Sequence, residues 1–157
     1  MAVVLIESRG RQLPIQHRSL QFIIPLLLFA AIILANASGY QSEDSLTYAW
    51  SIRTGQELFN PHHLLYNPIV HGLYWISSQV FTTDAIFVAQ AHNTFWAVVG
   101  TATLFLLLRR LGEPALIAAL YAMLFLSTQG VLLYATQVEV YVPAMGALGL
   151  ASYVLLA

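Results

Sequence analysis

Five long runs without a charged side chain constrain this chain more than any other feature of its sequence. No Asp, Glu, Lys or Arg occurs in residues 19–42, 58–83, 85–108, 114–138 or 140–157, and the run at 58–83 is interrupted by Pro61 and Pro68. A helix needs about 20 apolar residues to cross ~30 Å of hydrocarbon, and in lipid a helix can pair its backbone groups within one segment. The sequence therefore predicts an all-α membrane protein with about four transmembrane helices, near residues 20–39, 85–108, 115–134 and 141–157.

The composition of the chain also indicates a membrane protein. Apolar residues make up 59% of the chain and charged residues only 8%, against roughly 25% charged residues in an ordinary soluble domain. A soluble protein of 157 residues cannot bury so much apolar surface, so a soluble enzyme and a disordered tail are excluded. The net charge of −1 provides no basic field for nucleic acid, and the absence of Cys excludes disulfides and thiolate chemistry.

The positions of the arginines predict the orientation in the membrane, because arginine favours the cytoplasmic side. With four spans, Arg53 alone lies outside, and the cytoplasmic side holds Arg9, Arg11, Arg18, Arg109 and Arg110. We therefore expect a multi-pass protein of the cell membrane with a cytoplasmic N-terminus. Its predicted parts are a cytoplasmic segment, 1–19, and a transmembrane domain, 20–157, which includes an outer loop, 40–84.

Each end of the chain supports one further interpretation. The sequence Ala35-Asn36-Ala37 follows an apolar core and resembles a signal-peptidase site, so a cleaved signal peptide is the alternative to a first span. The last apolar run reaches Ala157 without a polar flank. We therefore expect the chain to be incomplete at its C-terminus.

The outer loop contains two predicted helices. Ser42 can cap the first and Gly55 can end it. Glu43 and Asp44 lie in its first turn, where negative charge stabilises a helix by ~0.3–1 kcal/mol. In the second, apolar residues recur at helical spacing within Ile69–Phe81. This segment is too short to cross the bilayer and is predicted to lie along the membrane surface.

Polar side chains gather at the predicted outer end of the helices. Glu139 follows the third span, and the outer half of the second span carries Gln90, His92, Asn93 and Thr94. Polar groups at membrane depth are costly and face a cavity or a partner helix. They therefore predict either a site that opens outward or hydrogen bonds that join the helices.

Three groups in this region have chemistry that suits a catalytic or binding site. Asp44 or Glu43, held on a short helix just outside the bilayer, can act as a general base; the structural alternative is a helix-end charge. His62 and His63 can donate hydrogen bonds to a phosphate or a sugar, and their spacing does not match a metal site. Glu139 is a substrate ligand at the rim of the site, the acid of a wet turn, or a charge at the N-terminal turn of the fourth span.

A set of motifs follows the first span. Asp44 precedes Tyr48-Ala49 and Arg53-x-Gly55, and further on come Pro61-His-His-Leu-Leu-Tyr66 and Glu139-Val-Tyr141. The layout is a basic N-terminus, one span, a large outer loop with an early acid, and then short-looped spans. In motifs and layout the chain resembles the N-terminal part of a GT-C-type glycosyltransferase, a class that includes the protein O-mannosyltransferases and uses polyprenyl-phosphate sugars.

The resemblance implies a function and assigns residues to it. It implies sugar transfer at the outer membrane face, with Asp44, or its neighbour Glu43, as the catalytic carboxylate. It implies membrane lipid and a polyprenyl-phosphate sugar as partners, other membrane subunits as further candidates, and no cofactor beyond the lipid-linked donor. The implied substrate-binding residues are His62, His63, Arg53, Tyr66 and Glu139.

Two other functions fit the same pattern. One is a non-catalytic subunit of a larger membrane complex, and the other is a fragment of a transporter with an outward-facing polar cavity. Members of the transferase family usually have many more spans than the four predicted here, and often a soluble outer domain.

Overall fold

Helices form all the regular structure in the part of the chain that the structure describes. The computed structural model describes the backbone of residues 15–61 and 63–156 and the side chains of residues 22–61 and 63–156. The prediction of an all-α chain is confirmed for these residues. The helices are α1 (Ile15–Ala35), α2 (Glu43–Thr54), α3 (Tyr66–Ser78), α4 (Ala85–Arg110), α5 (Ala115–Leu126), α6 (Gln129–Thr136) and α7 (Tyr141–Leu155).

Helix α4 lies at the centre of the molecule and contacts each of the six other helices. α1 runs antiparallel to α4, because Phe22 in α1 stacks on Phe105 near the end of α4, with 4.1 Å between ring centroids, and Gln90 near the start of α4 donates to the carbonyl oxygen of Ser38, just past α1, at 3.0 Å. The start of α1 therefore lies at the same end of the molecule as Arg109 and Arg110, the last residues of α4.

The backbones of α4 and α7 approach each other closely because glycine occurs at the contact. A Cβ added at Gly146 would lie 2.6 Å from the carbonyl oxygen of Trp96, and one added at Gly100 would lie 3.4 Å from Gly146 Cα. Further along both helices, Gly149 faces Thr103. The contacts advance in the same direction along both helices, so α7 runs parallel to α4.

The outer loop folds as two helices, as predicted. α2 begins after Ser42, whose hydroxyl accepts a hydrogen bond from the Ser45 N–H at 3.1 Å, and ends at Gly55, whose φ of +72° lies in the left-handed region. α3 covers residues 66–78, slightly ahead of the predicted segment. His71 of α3 donates from Nδ1 to the carbonyl oxygen of Ile52 at 2.7 Å and so joins the two helices.

Helix lengths support fewer membrane spans than the four predicted. Among the described residues, only α4, with 26 residues, is long and apolar enough to cross a bilayer alone. The segment predicted as one span near 115–134 is two helices, α5 and α6, which reach the required length only as a pair bent by 58°. α7 and the described apolar part of α1, Phe22–Ala35, are shorter than a span. Length alone therefore does not support the spans predicted near 20–39 and 141–157.

Two hydroxyl side chains lie at the break between α5 and α6. The hydroxyls of Ser127 and Thr128 donate back to the carbonyls of Met123 and Phe125, both at 2.8 Å. The backbone of Thr128 is extended, with ψ of 142°. The apolar run continues through this point, so apolar periodicity gives no sign of the bend.

Candidate functional site

The predicted gathering of polar side chains is observed at one end of the helices, where most of them hold the chain together. Asn93 donates from Nδ2 to the main-chain carbonyls of Gln137 and Glu139, at 2.8 and 2.7 Å. Gln90 donates in the same way to the carbonyl of Thr136 at 2.7 Å. For Gln90 and Asn93, the structure therefore supports the second of the two interpretations, hydrogen bonds that join the helices.

The side chain of Glu139 is buried, with 8% of its surface exposed, and points at the start of α2. Its Oε1 lies 3.2 Å from the hydroxyl of Ser42 and 3.4 Å from that of Ser45, both of which can donate to it. Because Ser42 is the N-cap of α2, this carboxylate also lies at the positive end of the helix dipole. Glu139 thus connects the turn between α6 and α7 to α2 and is not a wet turn acid. Its predicted contact with substrate stays a prediction.

Glu43 and Asp44 lie in the first turn of α2 with exposed side chains. Both stand at the positive end of the helix dipole, as the structural alternative predicts, and both are open to a substrate. Burial raises the pKa of the Tyr48 hydroxyl, and the carboxylates of Asp44 and then Glu139 raise it further. The negative charges of the exposed Asp44 and the buried Glu139 therefore both disfavour ionisation of the Tyr48 hydroxyl.

A row of rings connects Tyr48 to α4. Tyr48 meets His63 and Tyr66 edge-on, with centroid distances of 5.8 and 6.0 Å. Tyr66 lies 5.7 Å from His92 and donates its hydroxyl to Asn93 Oδ1 at 3.3 Å. Burial raises the pKa of Tyr66, although the hydrogen bond to Asn93 opposes the effect. The predicted site residues that the structure brings together around Tyr48 are Asp44, His63, Tyr66 and Glu139.

The hydrogen bonds of His92 determine its tautomer. Trp96 donates from Nε1 to His92 Nε2 at 3.0 Å, so this nitrogen carries no proton. The proton is therefore on Nδ1, which faces Asn93 Oδ1 at 3.4 Å. His92 serves as a hydrogen-bonded contact within the row of rings.

An apolar groove of about 520 Å³ follows the same residues. Its walls come from the segment ahead of α3, from α4 and from α7. Its polar part contains His63, Tyr66 and His92, and its apolar part includes Leu64, Leu65, Ile69, Pro143 and Ala147. A mostly apolar site with a few polar groups at one place suits a ligand that has an apolar chain and a polar head.

Arg53 lies apart from this cluster. It is exposed in the last turn of α2, nine residues from Asp44, or about 13 Å along the axis at 1.5 Å per residue. In that position its charge stabilises the C-terminus of the helix. His62, the other predicted cation near the site, lies outside the described residues. Within the described ranges, no three His, Cys, Asp or Glu side chains are grouped so as to hold a metal ion.

Sequence reasoning missed the places of two side chains in this region, the half-buried His71 and the buried Asn67. His71 joins α3 to α2 through the carbonyl of Ile52. Asn67 is 1% exposed, and its Oδ1 accepts no hydrogen bond from the described residues. The sequence offers only the position of Asn67 before Pro68 as a signal, and its burial becomes visible only when α2 and α3 are packed together.

Comparisons with known proteins assign no family to the chain. No protein-family model matches the chain, and no curated protein or solved structure is similar to it.

Proposed function

We propose that this chain is the N-terminal part of a membrane glycosyltransferase that moves a sugar from a polyprenyl-phosphate donor to an acceptor at the outer membrane face. The observation that carries the proposal is the arrangement around Tyr48. Asp44, whose carboxylate is exposed, lies one helical turn before Tyr48 on α2, and the ring of Tyr48 contacts His63 and Tyr66, which line the apolar groove. A lipid-linked sugar has the two parts that such a site accommodates, an apolar chain and a hydroxylated head.

The proposal includes four crossings of the membrane, by α1, α4, the bent pair α5–α6, and α7. The antiparallel packing of α1 and the parallel packing of α7 against α4 support this alternation of directions. Large apolar side chains remain exposed on all four of these elements, for example Leu28 (61%), Phe95 (58%), Leu124 (66%) and Leu148 (69%), and lipid would cover them. Arg109 and Arg110 lie at the end opposite to the polar cluster, as cytoplasmic arginines would.

In the proposed reaction Asp44 removes the proton from an acceptor hydroxyl while the acceptor oxygen bonds to C1 of the sugar. The bond between C1 and the donor phosphate breaks, and the phosphate leaves with the electron pair. Because phosphate is already a good leaving group, positioning provides much of the rate. Glu139 contributes to positioning, since its contacts with Ser42 and Ser45 hold the end of α2 that carries Asp44.

Substitution of the two exposed acids tests this proposal. In membranes that contain the full chain and a radiolabelled polyprenyl-phosphate sugar, we expect Asp44→Asn to lower sugar transfer by a factor of about 10²–10⁴, the usual contribution of a general base. Glu43→Gln keeps Asp44 in place and should retain most of the transfer. The measurement is the rate at which label moves from donor to acceptor.

Asp84→Asn is the matched control, because Asp84 is an exposed carboxylate in the same outer loop, immediately before α4. It should leave transfer unchanged. Undiminished transfer in both Asp44→Asn and Glu43→Gln would reject the assignment of the catalytic carboxylate.

A transporter fragment is the second candidate function, and the bend between α5 and α6 favours it. Broken helices carry the substrate sites of many transporters, and Ser127, Thr128 and Gln129 are exposed at this break. A transporter would lose uptake of a polar solute into proteoliposomes on Gln129→Ala and keep it on Asp44→Asn. A transferase would show the opposite dependence in the transfer assay.

A further inference from the structure

A second cavity, of about 300 Å³, lies between α2 and the loop that leads to α3. Its volume is at the lower end of the range of small-molecule sites, about 300–1,000 Å³, and far exceeds the roughly 30 Å³ that one water occupies in the liquid. One wall consists of hydroxyl side chains on one face of α2, and the other includes amide side chains. The residues that matter here are Thr47, Tyr48, Ser51, Glu57, Asn60 and Asn67.

Asn67 is the feature of this cavity that the fold does not explain. It is 1% exposed, and its Oδ1 is enclosed without a donor among the described residues. Asn near the start of a helix normally serves as a cap, but the N-cap of α3 is Leu65 and no side chain caps this helix. An unpaired buried carbonyl costs stability, and such a group in a native structure calls for a partner that binds there.

The charge of the lining selects the kind of partner. Among the described residues, Glu57 is the only charged residue that lines the cavity, and no cation does so. A phosphate or another anion would therefore meet a like charge without compensation. Hydroxyl groups, by contrast, can donate to the Asn67 and Glu57 oxygens and accept from the hydroxyls and amides of the walls. The ring of Phe59, 72% exposed at the edge of the cavity, offers an aromatic face to C–H groups.

We propose that this cavity binds a neutral, hydroxyl-rich ligand of the sugar class, with Asn67 Oδ1 as the acceptor for a ligand hydroxyl. Tyr48 belongs both to the cavity wall and to the cluster that contains Asp44 and His63. A sugar in the cavity therefore lies beside the candidate base, and the phosphate of a donor lies elsewhere. The role of this sugar in transfer depends on the proposed function, whereas its binding does not.

Ligand-observed NMR on the full chain tests the site. The protein is purified in a zwitterionic detergent, because detergents with glucoside or maltoside heads carry the ligand class under test. The probes are the methyl glycosides of glucose, mannose and galactose, with inorganic phosphate as the anionic comparison. We expect at least one glycoside to bind and phosphate not to bind.

Asn67→Leu keeps the shape of the side chain and removes its polar atoms. We expect it to weaken glycoside binding at least tenfold and to raise the thermal midpoint, because an unpaired buried carbonyl disappears. This combination of higher stability with lost binding is not expected of a purely structural residue. Asn36→Leu, an exposed asparagine at the end of α1, is the matched control and should leave binding unchanged.

The site is rejected if no glycoside binds, which would mean that the cavity holds water only. It is also rejected if Asn67→Leu binds glycoside as the parent does, or if phosphate binds with the same dependence on Asn67. Where Asn67→Leu fails to fold, Ser51→Ala on the opposite wall decides: a loss of affinity of threefold or more supports the site, and unchanged affinity rejects it.

The two proposals fail separately. If glycosides bind and both acid variants retain transfer, the proposed reaction is wrong and the binding site stands. If Asp44→Asn abolishes transfer and no glycoside binds, the reaction stands and the cavity is not its sugar site.

Discussion

At the scale of single residues, Tyr66 shows how closely the outer loop depends on α4. Its side chain is 7% exposed, and its hydroxyl bonds to Asn93, which also holds the turn between α6 and α7. Burial raises the pKa of this hydroxyl, as it does for Tyr48, so the folded protein favours the neutral phenols. The stability that they contribute is fully present below the ordinary tyrosine pKa of 10.0 and is lost as the pH rises above it.

The Tyr66→Phe variant separates the contribution of the hydrogen bond to Asn93 from that of the raised pKa of the Tyr66 hydroxyl. At neutral pH we expect it to lower the free energy of unfolding by about 1 kcal/mol, the usual net value of one hydrogen bond. Above pH 10 the phenol of Tyr66 ionises in the unfolded parent, whereas burial raises its pKa in the folded state and keeps it neutral there. The parent therefore loses stability as the pH rises and the variant does not, so the difference between them should shrink. Reversible unfolding in mixed micelles at neutral and alkaline pH measures both.

Tyr121→Phe is the control for this prediction, because Tyr121 is an exposed ring on α5 away from the cluster. It should change neither value. A difference between Tyr66→Phe and the parent that stays constant from neutral to alkaline pH would contradict the assignment of the alkaline loss to Tyr66.

At the scale of elements, the contact between α4 and α7 leaves no room for a side chain at Gly146. We expect Gly146→Ala to lower the free energy of unfolding by about 1–3 kcal/mol, the usual cost of overpacking. The reason is that its Cβ would lie 2.6 Å from a main-chain oxygen of α4, so the helices must separate. Reversible unfolding of the purified protein measures the change.

Gly149→Ala is the matched substitution on the same helix. Its Cβ would lie 3.7 Å from the nearest atom, in ordinary contact. This variant should be as stable as the parent or slightly more stable, because alanine favours helix. Equal losses in the two variants would show that the backbone approach at Gly146 is not the cause.

The elements also show which parts of the fold can be predicted from sequence. The ends of α2 depend on local chemistry, a capping hydroxyl at Ser42 and a left-handed glycine at Gly55, and were predicted correctly. The break at Ser127 and Thr128 was missed, because the uncharged run from 114 to 138 continues through it and gives no sign of the bend.

At the scale of the whole molecule, the antiparallel α1 and α4 separate the polar cluster from the Arg109–Arg110 pair. The absence of cysteine makes single-cysteine labelling straightforward. With four crossings, we expect an impermeant thiol reagent added to intact cells to label Glu43→Cys and Phe81→Cys, both exposed in the outer loop. Leu111→Cys, exposed after α4, should react only after permeabilisation.

The three positions distinguish the possible arrangements. Labelling of Phe81→Cys only after permeabilisation would mean that residues 58–83 cross the membrane. Labelling of Leu111→Cys in intact cells would contradict the assignment of α4 as a crossing. Protection of Glu43→Cys in intact cells would move the candidate carboxylates to the cytosol and end the proposed function.

The whole molecule also explains why the site was only partly predictable. The acids of the outer loop and the polar residues of α4 were singled out by type and position. The residues that they contact were not predicted. Glu139, for example, contacts Ser42, which lies 97 residues away in the sequence, and no local pattern encodes that contact. Asn67 was missed for the same reason, since its unpaired oxygen exists only once α2 and the loop before α3 enclose it.

The long separation between Ser42 and Glu139 has a consequence for biosynthesis. A ribosome must add 97 more residues after Ser42 before this contact can form, which takes roughly 5–20 s at the usual 5–20 residues per second. The outer loop is therefore synthesised early, but it forms this contact only after Glu139 has been added. Nascent chains that stop short of Glu139 leave Asn93 and Ser45 without their hydrogen bonds to that residue, and quality-control proteases have that interval in which to recognise them.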